Sequence, residues 1–583
     1  MVSKTIGRGF DPCHPCQKFS HPPVIRCQTG KEGNVIGADL IAQILKSEGV
    51  DFMGVIPFNR LEESGAKAGI RPLIFRQERV GVNLADGYSR ITNGDKTGVF
   101  AMQAGPGAEN AFAGVATAYA DSVPILLLPA SNPRSRHGVH PTFSPSETYR
   151  TVTKWSGKVS MPENIPDMMR RTFSQIRLGR PGPVLLEIPS DILSEELPEG
   201  MSTTYTNVEN IKSAGNPQDI KTAAKMLLGA SRPVIQAGQG VLYGKASKQL
   251  IELAELARVP VMTSMAGKSA FPETHELALG TRSSSTTDMV VRFIDKADLI
   301  FGIGTSFTRI HYGMDDFDKK TLVQITNSPE DINKDYSPDH AVLGDVLLVL
   351  DELIIEVKAL LGSSNRNESF KFEDEIASVR EDWFKEWMPH LQSNETPISP
   401  YRVIWELMQN TNPSETIVTH DSGSPRDQIM PFYNTVNPNG FIAWGKSTQL
   451  GYSLGLAMGA SMAEPNKVAV NLIGDYGFGM VGLDIETAVR EKIPIFTIIL
   501  NNSAMGIYRP HNFPTANELY GTKYTTGDYA KIADALGSYN EVVDNPDEVG
   551  LAIKRCVDTV KSGNTAVLEV MTKEEPAMPH RMF

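Results

Sequence analysis

An acid and an amide stand at what read as the ends of two neighbouring strands. The apolar run 468–473 leads into Gly474-Asp475-Tyr476-Gly477, and a second run, 495–500, leads into Asn501-Asn502. A helix-like stretch over 482–491 lies between them, so the pattern is strand, helix, strand, and a parallel pair is expected. In such a sheet, ligands gather beyond the carboxyl ends of the strands. Asp475 and Asn502 are therefore expected to converge. A carboxylate and an amide oxygen suit a hard cation such as Mg²⁺ or Ca²⁺. Backbone N–H groups at Gly477 and in the helical turn that follows suit a diphosphate. The bland alternative is an ordinary strand turn and a polar loop, and this motif alone leaves both open.

These strands need domains to carry them, and the chain has room for several. Its 583 residues exceed what one core of about 250–300 residues can organise, so roughly two to four domains are expected. From residue 35, short apolar strands near 52–55, 72–75, 97–102, 124–129 and 183–188 alternate with helical periods such as 37–45, 78–90 and 163–178. The polar stretch 200–216 reads as a linker. A second block, 217–362, has strands at 233–237 and 299–303, and the segment 362–375, rich in Ser, Asn and charge, reads as a second linker. The expected fold class is α/β, with three doubly wound parallel-sheet domains over 35–199, 217–362 and 376–575. An extension, 1–34, precedes them and a short tail, 576–583, follows.

Composition is that of a globular chain, 41% hydrophobic and 21% charged, with a net charge of −12. The acidic balance argues against nucleic acid or an anionic membrane as the main partner. No run of about 18 apolar residues occurs, so no transmembrane helix is expected. Four cysteines, 13, 16, 27 and 556, are too few for a disulfide scaffold and fit a reducing, cytoplasmic setting. Cys13-His14-Pro15-Cys16 has zinc-knuckle spacing, with His21 and Cys27 nearby, but no second ligand pair completes it. A tail without metal is the favoured reading. The mildly basic extension lacks a secretory signal's apolar core and is compatible with an organelle transit peptide.

Taken together, the motifs resemble the thiamine-diphosphate-dependent enzymes, and among them the acetolactate synthase-like group. Gly474-Asp475 followed by Asn501-Asn502 is similar to that family's cofactor signature. Phe75-Arg76-Gln77-Glu78-Arg79 and Ala85-Asp86-Gly87-Tyr88-Ser89-Arg90 resemble its activating-glutamate segment. The loops 104–110, 121–124 and 178–184 match its next landmarks, and 445–451 resembles the segment that bends the cofactor. The resemblance runs in order from about 37 to 572.

It implies a pyrimidine-binding, a central and a diphosphate-binding domain, and a homodimer or homotetramer with active sites shared between subunits. It implies thiamine diphosphate and Mg²⁺. Glu78 would hydrogen-bond the pyrimidine, Leu450 would be the bulky wedge, and the Thr448 carbonyl would accept from the 4′-amino group. Ser424, Gly474, Tyr476 and Gly477 would flank the diphosphate. Asp475, Asn502 and the Ala504 carbonyl would hold the metal. Some relatives carry FAD or ADP in the central domain. The acid they use for ribose is replaced here by Thr326 or Asn327, which counts against both and favours a domain that stabilises the assembly.

The implied activity makes or breaks a carbon–carbon bond beside a carbonyl, with decarboxylation or carboligation of a 2-oxo acid leading. A 2-hydroxyacyl-CoA lyase or oxalyl-CoA decarboxylase type is one alternative, and a catalytically silent scaffold is another. Three departures bear on the choice. Tyr476 stands where the signature has glycine, 503–511 lacks the tryptophan typical of acetolactate synthases, and the usual Phe-Gln pair is not evident at 142–145. The substrate therefore stays open. For proton transfer, His137, His140 and His511 are candidates because histidine titrates near neutrality. Phe58 occupies, or adjoins, the position where decarboxylase relatives often place an acid or serine.

Overall fold

The computed structural model describes residues 35–57, 59–309, 317–362, 366, 371–506 and 512–580. Phe58, His511, the 13–27 cysteine and histidine cluster and the tail end 581–583 lie outside the described residues.

Three six-stranded sheets follow one another, each wholly parallel. The first contains β1 (Phe52–Val55), β2 (Arg71–Ile74), β3 (Gly98–Met102), β4 (Ile125–Ser131), β5 (Trp155–Lys158) and β6 (Val184–Pro189), in the order β2-β1-β3-β4-β6-β5. The second contains β7 (Pro233–Ala237), β8 (Val261–Ser264), β9 (Ala278–Arg282), β10 (Leu299–Ile303), β11 (Thr321–Thr326) and β12 (His340–Leu343), in the order β12-β11-β10-β7-β8-β9. The third contains β13 (Thr416–His420), β14 (Phe441–Ile442), β15 (Val468–Gly474), β16 (Phe496–Asn501), β17 (Tyr539–Val543) and β18 (Ala566–Met571), in the order β14-β13-β15-β16-β18-β17. The first and third sheets share one topology. The second has a different strand order, that of a dinucleotide-binding fold. Inner strands such as β3, β6 and β16 are buried on both faces, as a parallel sheet covered by helices must be. The expected three-domain α/β fold is therefore observed.

The first and third domains meet through two helices, Glu78–Ile91 and Ser453–Ala463. Their backbones touch: a Cβ on Gly87 would lie 2.8 Å from Leu456 Cα, and one on Gly459 would lie 2.5 Å from Tyr88 N. Only glycine permits that approach. Beside this seam, buried Arg90 bonds Asp86 (2.5 Å) and Asp121 (3.0 Å), and Tyr452 donates to Asp86 (2.7 Å) across the domain boundary. The second and third domains are joined by Lys268, which pairs with Glu273 (2.6 Å) and donates to the Met430 carbonyl (3.2 Å). The helix Glu373–Leu391 adds Trp383, stacked on Phe432 at 4.9 Å.

Two sequence expectations change. The helix after β15 begins at Asp475 itself (Asp475–Val481), so Tyr476 and Gly477 belong to its first turn rather than preceding the helix-like stretch at 482–491. The polar stretch 200–216 is partly fastened to the first domain: Tyr205 donates to Glu48 (2.5 Å) and Asn207 to the Ser47 carbonyl (2.6 Å). Residues 577 and 579 are also fastened, since the Ala577 carbonyl accepts from Tyr401 (2.6 Å) and the Pro579 carbonyl from Ser285 (3.0 Å). Among the described residues, no helix is long and apolar enough to cross a membrane.

Candidate active site

Glu78 opens the helix Glu78–Ile91, directly after extended Gln77. It is 6% exposed. Its side-chain partner is Asn110, whose Nδ2 donates to Oε2 at 3.3 Å from the facing helix Pro106–Ala120. Burial pushes the Glu78 carboxyl above the usual carboxylate range, and the amide of Asn110 offsets that only in part. An acid whose burial favours its protonated form suits hydrogen bonding to a ring nitrogen.

Both helices reach the third domain here. The Gln449 side chain donates to the Ala113 carbonyl (3.2 Å) and accepts from Arg79 (3.3 Å). Gln449 lies in the turn bounded by Gly445 and Gly451, both at positive φ, which also contains Thr448 and half-buried Leu450. Two residues after β13 set this turn. Asp421 accepts the N–H groups of Gly451 (2.9 Å) and Tyr452 (3.1 Å), and the Thr448 carbonyl accepts from Ser422 Oγ (3.0 Å). Burial raises Asp421 to about 6, against the pull of those backbone donors. Asp421 and Ser422 were not singled out by the sequence reading. Both lie in the strand-end segment that holds Ser424, and this was the available signal.

β15 and β16 are neighbours, with Gly474 opposite Leu500, so Asp475 and Asn502 leave adjacent strand ends. Asp475 is 3% exposed. Its carboxylate accepts from Tyr476 N (2.8 Å) and from Thr525 Oγ1 (3.0 Å), and the Thr525 N–H in turn donates to the Ser503 carbonyl (2.9 Å). Asn502 Oδ1 accepts from Ala504 N (3.0 Å). Burial raises the Asp475 pKa, and no cationic side chain is among the causes that oppose it. Among the described residues, no cluster of three or more His, Cys, Asp or Glu is arranged to hold a metal. The donor set here is of another kind: one carboxylate, an amide oxygen and a main-chain carbonyl. A buried carboxylate lacking a cation, beside hard oxygen donors, fits Mg²⁺. Tyr476 offers its backbone to this turn while its ring is 39% exposed, so a side chain is tolerated at that position. Gly477 has no such freedom, because a Cβ there would overlap Asp421 Oδ2. Ser424 begins the helix Ser424–Ile429, and its Oγ lies 2.8 Å from where Gly506 would carry a Cβ. Asn501, the other asparagine, is structural and donates to buried Glu569 (2.6 Å).

His137 and His140 stand apart from this arrangement in the chain. His137 and His140 are exposed on the loop after β4, and His137 Nδ1 lies 3.1 Å from Lys158 Nζ. Among the described residues, neither contacts Glu78 or the 445–451 turn.

A crevice of about 410 Å³ opens where the order of the second sheet reverses, between β7 and β10. The Gly-rich turn after β7 does not offer a seat for the pyrophosphate of FAD or ADP. Gly238 N donates to the Ile303 carbonyl (2.8 Å) and Gly240 N to the Gly304 carbonyl (2.9 Å). A Cβ on Gly238 would lie 2.8 Å from the Gly304 carbonyl carbon, so these glycines serve turn-to-turn packing. β11 ends in Thr326 and Asn327, and the Thr326 hydroxyl donates to Asp331 (3.3 Å). These residues do not fit a nucleotide diphosphate bound in the manner of the fold.

Comparison with known proteins agrees with the geometry. The N-terminal TPP binding domain of the thiamine pyrophosphate enzymes matches residues 36–149, the central domain matches 220–353, and the C-terminal TPP binding domain matches 421–570. A probable acetolactate synthase large subunit of Methanocaldococcus jannaschii is 28% identical over 93% of each chain. The acetolactate synthase isozyme 3 large subunit of Escherichia coli is 27% identical over 92% of this chain and 94% of its own. A putative thiamine pyrophosphate-containing protein of Bacillus subtilis is 26% identical over 93% and 92%. The chain belongs to the thiamine pyrophosphate enzyme family, and within it is similar to acetolactate synthase large subunits.

Proposed function

We propose that the protein is a thiamine-diphosphate- and Mg²⁺-dependent enzyme that decarboxylates or ligates 2-oxo acids. The observation that carries this reading is buried Glu78, with its raised pKa and its amide partner Asn110, directly before Arg79, which reaches Gln449 of the 445–451 turn. Thiamine diphosphate would supply a nucleophilic carbon that adds to a carbonyl and then accepts the electron pair of the broken bond. Glu78 would hold a proton at the pyrimidine nitrogen. Asn110 would keep that carboxyl in place without neutralising it. The Thr448 carbonyl, fixed by Ser422, would accept from the pyrimidine amino group, and Leu450 would press on the bend of the cofactor. Asp475, Asn502 and the Ala504 carbonyl would hold Mg²⁺, with Thr525 orienting the carboxylate, and Ser424 would touch the diphosphate.

Tyr476, Met480 and Leu483 leave an exposed apolar strip beside the metal-binding residues. It supports a homodimer in which this face is covered, as the expected sharing of active sites between subunits requires. The test is calorimetric titration with thiamine diphosphate, with and without Mg²⁺. Binding that requires the metal is expected, and absence of binding under both conditions would end this reading.

A further inference from the structure

Trp444 and Tyr452 stand immediately before and after the turn bounded by Gly445 and Gly451, and both are fully buried. Their rings meet at 4.9 Å, so an aromatic pair closes the base of the turn. Each member is fixed on its far side. The Trp444 indole Nε1 donates to the His420 carbonyl (2.7 Å), and its ring stacks on the His420 imidazole at 5.6 Å, the two planes within 7°. Burial lowers His420 to about 3, so the imidazole is neutral and stacks without a counter-ion. The Tyr452 hydroxyl donates to Asp86 (2.7 Å), which lies about two helical turns beyond Glu78 on the helix Glu78–Ile91. A second tie from the first domain reaches the entry of the turn: Lys446 N donates to Asp121 (3.3 Å), and Arg90 holds Asp121 and Asp86 together. Thr448 and Leu450 lie between these fixed ends. A phenylalanine would fill either aromatic space. The hydroxyl and the indole N–H add direction, because a buried polar group must meet a partner.

We propose that Trp444 and Tyr452 are positioning residues: together they set the Thr448 carbonyl and the Leu450 side chain against Glu78, with the Tyr452 hydroxyl tying the turn to the helix that Glu78 opens. This role rests on the cofactor assignment above. The residues assigned to the metal and diphosphate, Asp475, Asn502 and Ser424, leave other strand ends. The clasp therefore acts on the orientation of the pyrimidine more than on affinity for the cofactor.

Tyr452→Phe removes the hydroxyl and keeps the ring, and Trp444→Phe removes the indole N–H. Tyr401→Phe is the control, since it removes another buried hydroxyl's bond, to the Ala577 carbonyl (2.6 Å), on a different helix of the third domain. Hydrogen–deuterium exchange of the cofactor-free full-length chain, read by mass spectrometry on peptides covering 444–452, tests the clasp without the cofactor. Exchange there should rise several-fold, up to roughly tenfold, in Tyr452→Phe, the scale of one lost buried hydrogen bond. It should stay at the wild-type rate in Tyr401→Phe. In the protein loaded with thiamine diphosphate and Mg²⁺, Tyr452→Phe should slow exchange of the thiazolium C2 proton by a similar factor while cofactor affinity changes by less. Trp444→Phe should act in the same direction, and Tyr452→Phe alone decides if that variant does not fold. Unchanged 444–452 exchange in Tyr452→Phe, an equal rise in Tyr401→Phe, or C2 exchange and affinity falling in step would overturn the proposal. A wild type that binds no thiamine diphosphate would overturn the cofactor assignment and the positioning role together, and the cofactor-free exchange keeps the two failures apart.

Discussion

Replacing Glu78 by Gln separates the role of its carboxyl from the space it fills. Glutamine has nearly the same shape and can still bond Asn110, so the helix start and the contact at 3.3 Å need not change. What is lost is the acid. Proton positioning by a side chain is typically worth about 10²–10⁴-fold, or about 3–5 kcal/mol of barrier. Exchange of the thiazolium C2 proton of bound cofactor should slow by that factor. Stability should move the other way. Burial raises the Glu78 pKa in the fold, so the folded state binds this proton more tightly than the unfolded chain. That contribution is fully present below the unfolded pKa and is lost as pH rises through the folded value. Above the folded value the wild type bears an ionised, partly desolvated carboxylate that the glutamine variant lacks. Quenched-exchange NMR on the loaded protein, paired with thermal unfolding at pH 7.5, reads both quantities. Slow exchange with an unchanged or higher Tm is expected. Wild-type exchange in the variant, or slow exchange only alongside a large fall in Tm, would refute the reasoning.

Asp475→Ala and Asn502→Ala should each weaken cofactor binding at limiting Mg²⁺; titrations matching wild type would move the metal elsewhere. Gly477→Ala should destabilise the protein by about 1–3 kcal/mol, as overpacking does, because the new Cβ meets buried Asp421, and denaturant unfolding checks it. Arg90→Met should cost about 3–5 kcal/mol, since Asp86 and Asp121 would stay buried without their cation; a change under 1 kcal/mol would contradict that reading of the network. Sedimentation at assay concentration should show a dimer or tetramer, and Leu483→Glu should shift it toward monomer.

Much of the architecture was legible because parallel strands buried on both faces leave short apolar runs, and turns between them leave glycine. The strand ends at Gly474 and Asn501 could be read that way, and with them the departure of Asp475 and Asn502 from neighbouring strands. The position of the helix start was not legible: Tyr476 and Gly477 look like a loop in sequence, yet the chain turns helical at Asp475. Contacts that depend on distant pairing left no local pattern. Asp421 holds Gly451 and Tyr452, Thr525 holds Asp475, and Asn110 holds Glu78. None of these pairs is near in sequence. The histidines at 137 and 140 show the converse, since suitable residue types on a loop carry no information about where that loop points.

The central claim is that Glu78, the 445–451 turn and the Asp475–Asn502 pair work together on a 2-oxo acid. Acid quenching of the thiamine-diphosphate- and Mg²⁺-loaded protein during incubation with a panel of 2-oxo acids, followed by mass spectrometry of the released cofactor, tests it most directly. The expected result is a covalent substrate–cofactor adduct with at least one 2-oxo acid in the wild type and none above background in Glu78→Gln. Tight cofactor binding with no adduct from any 2-oxo acid, or an adduct formed equally well by Glu78→Gln, would contradict it.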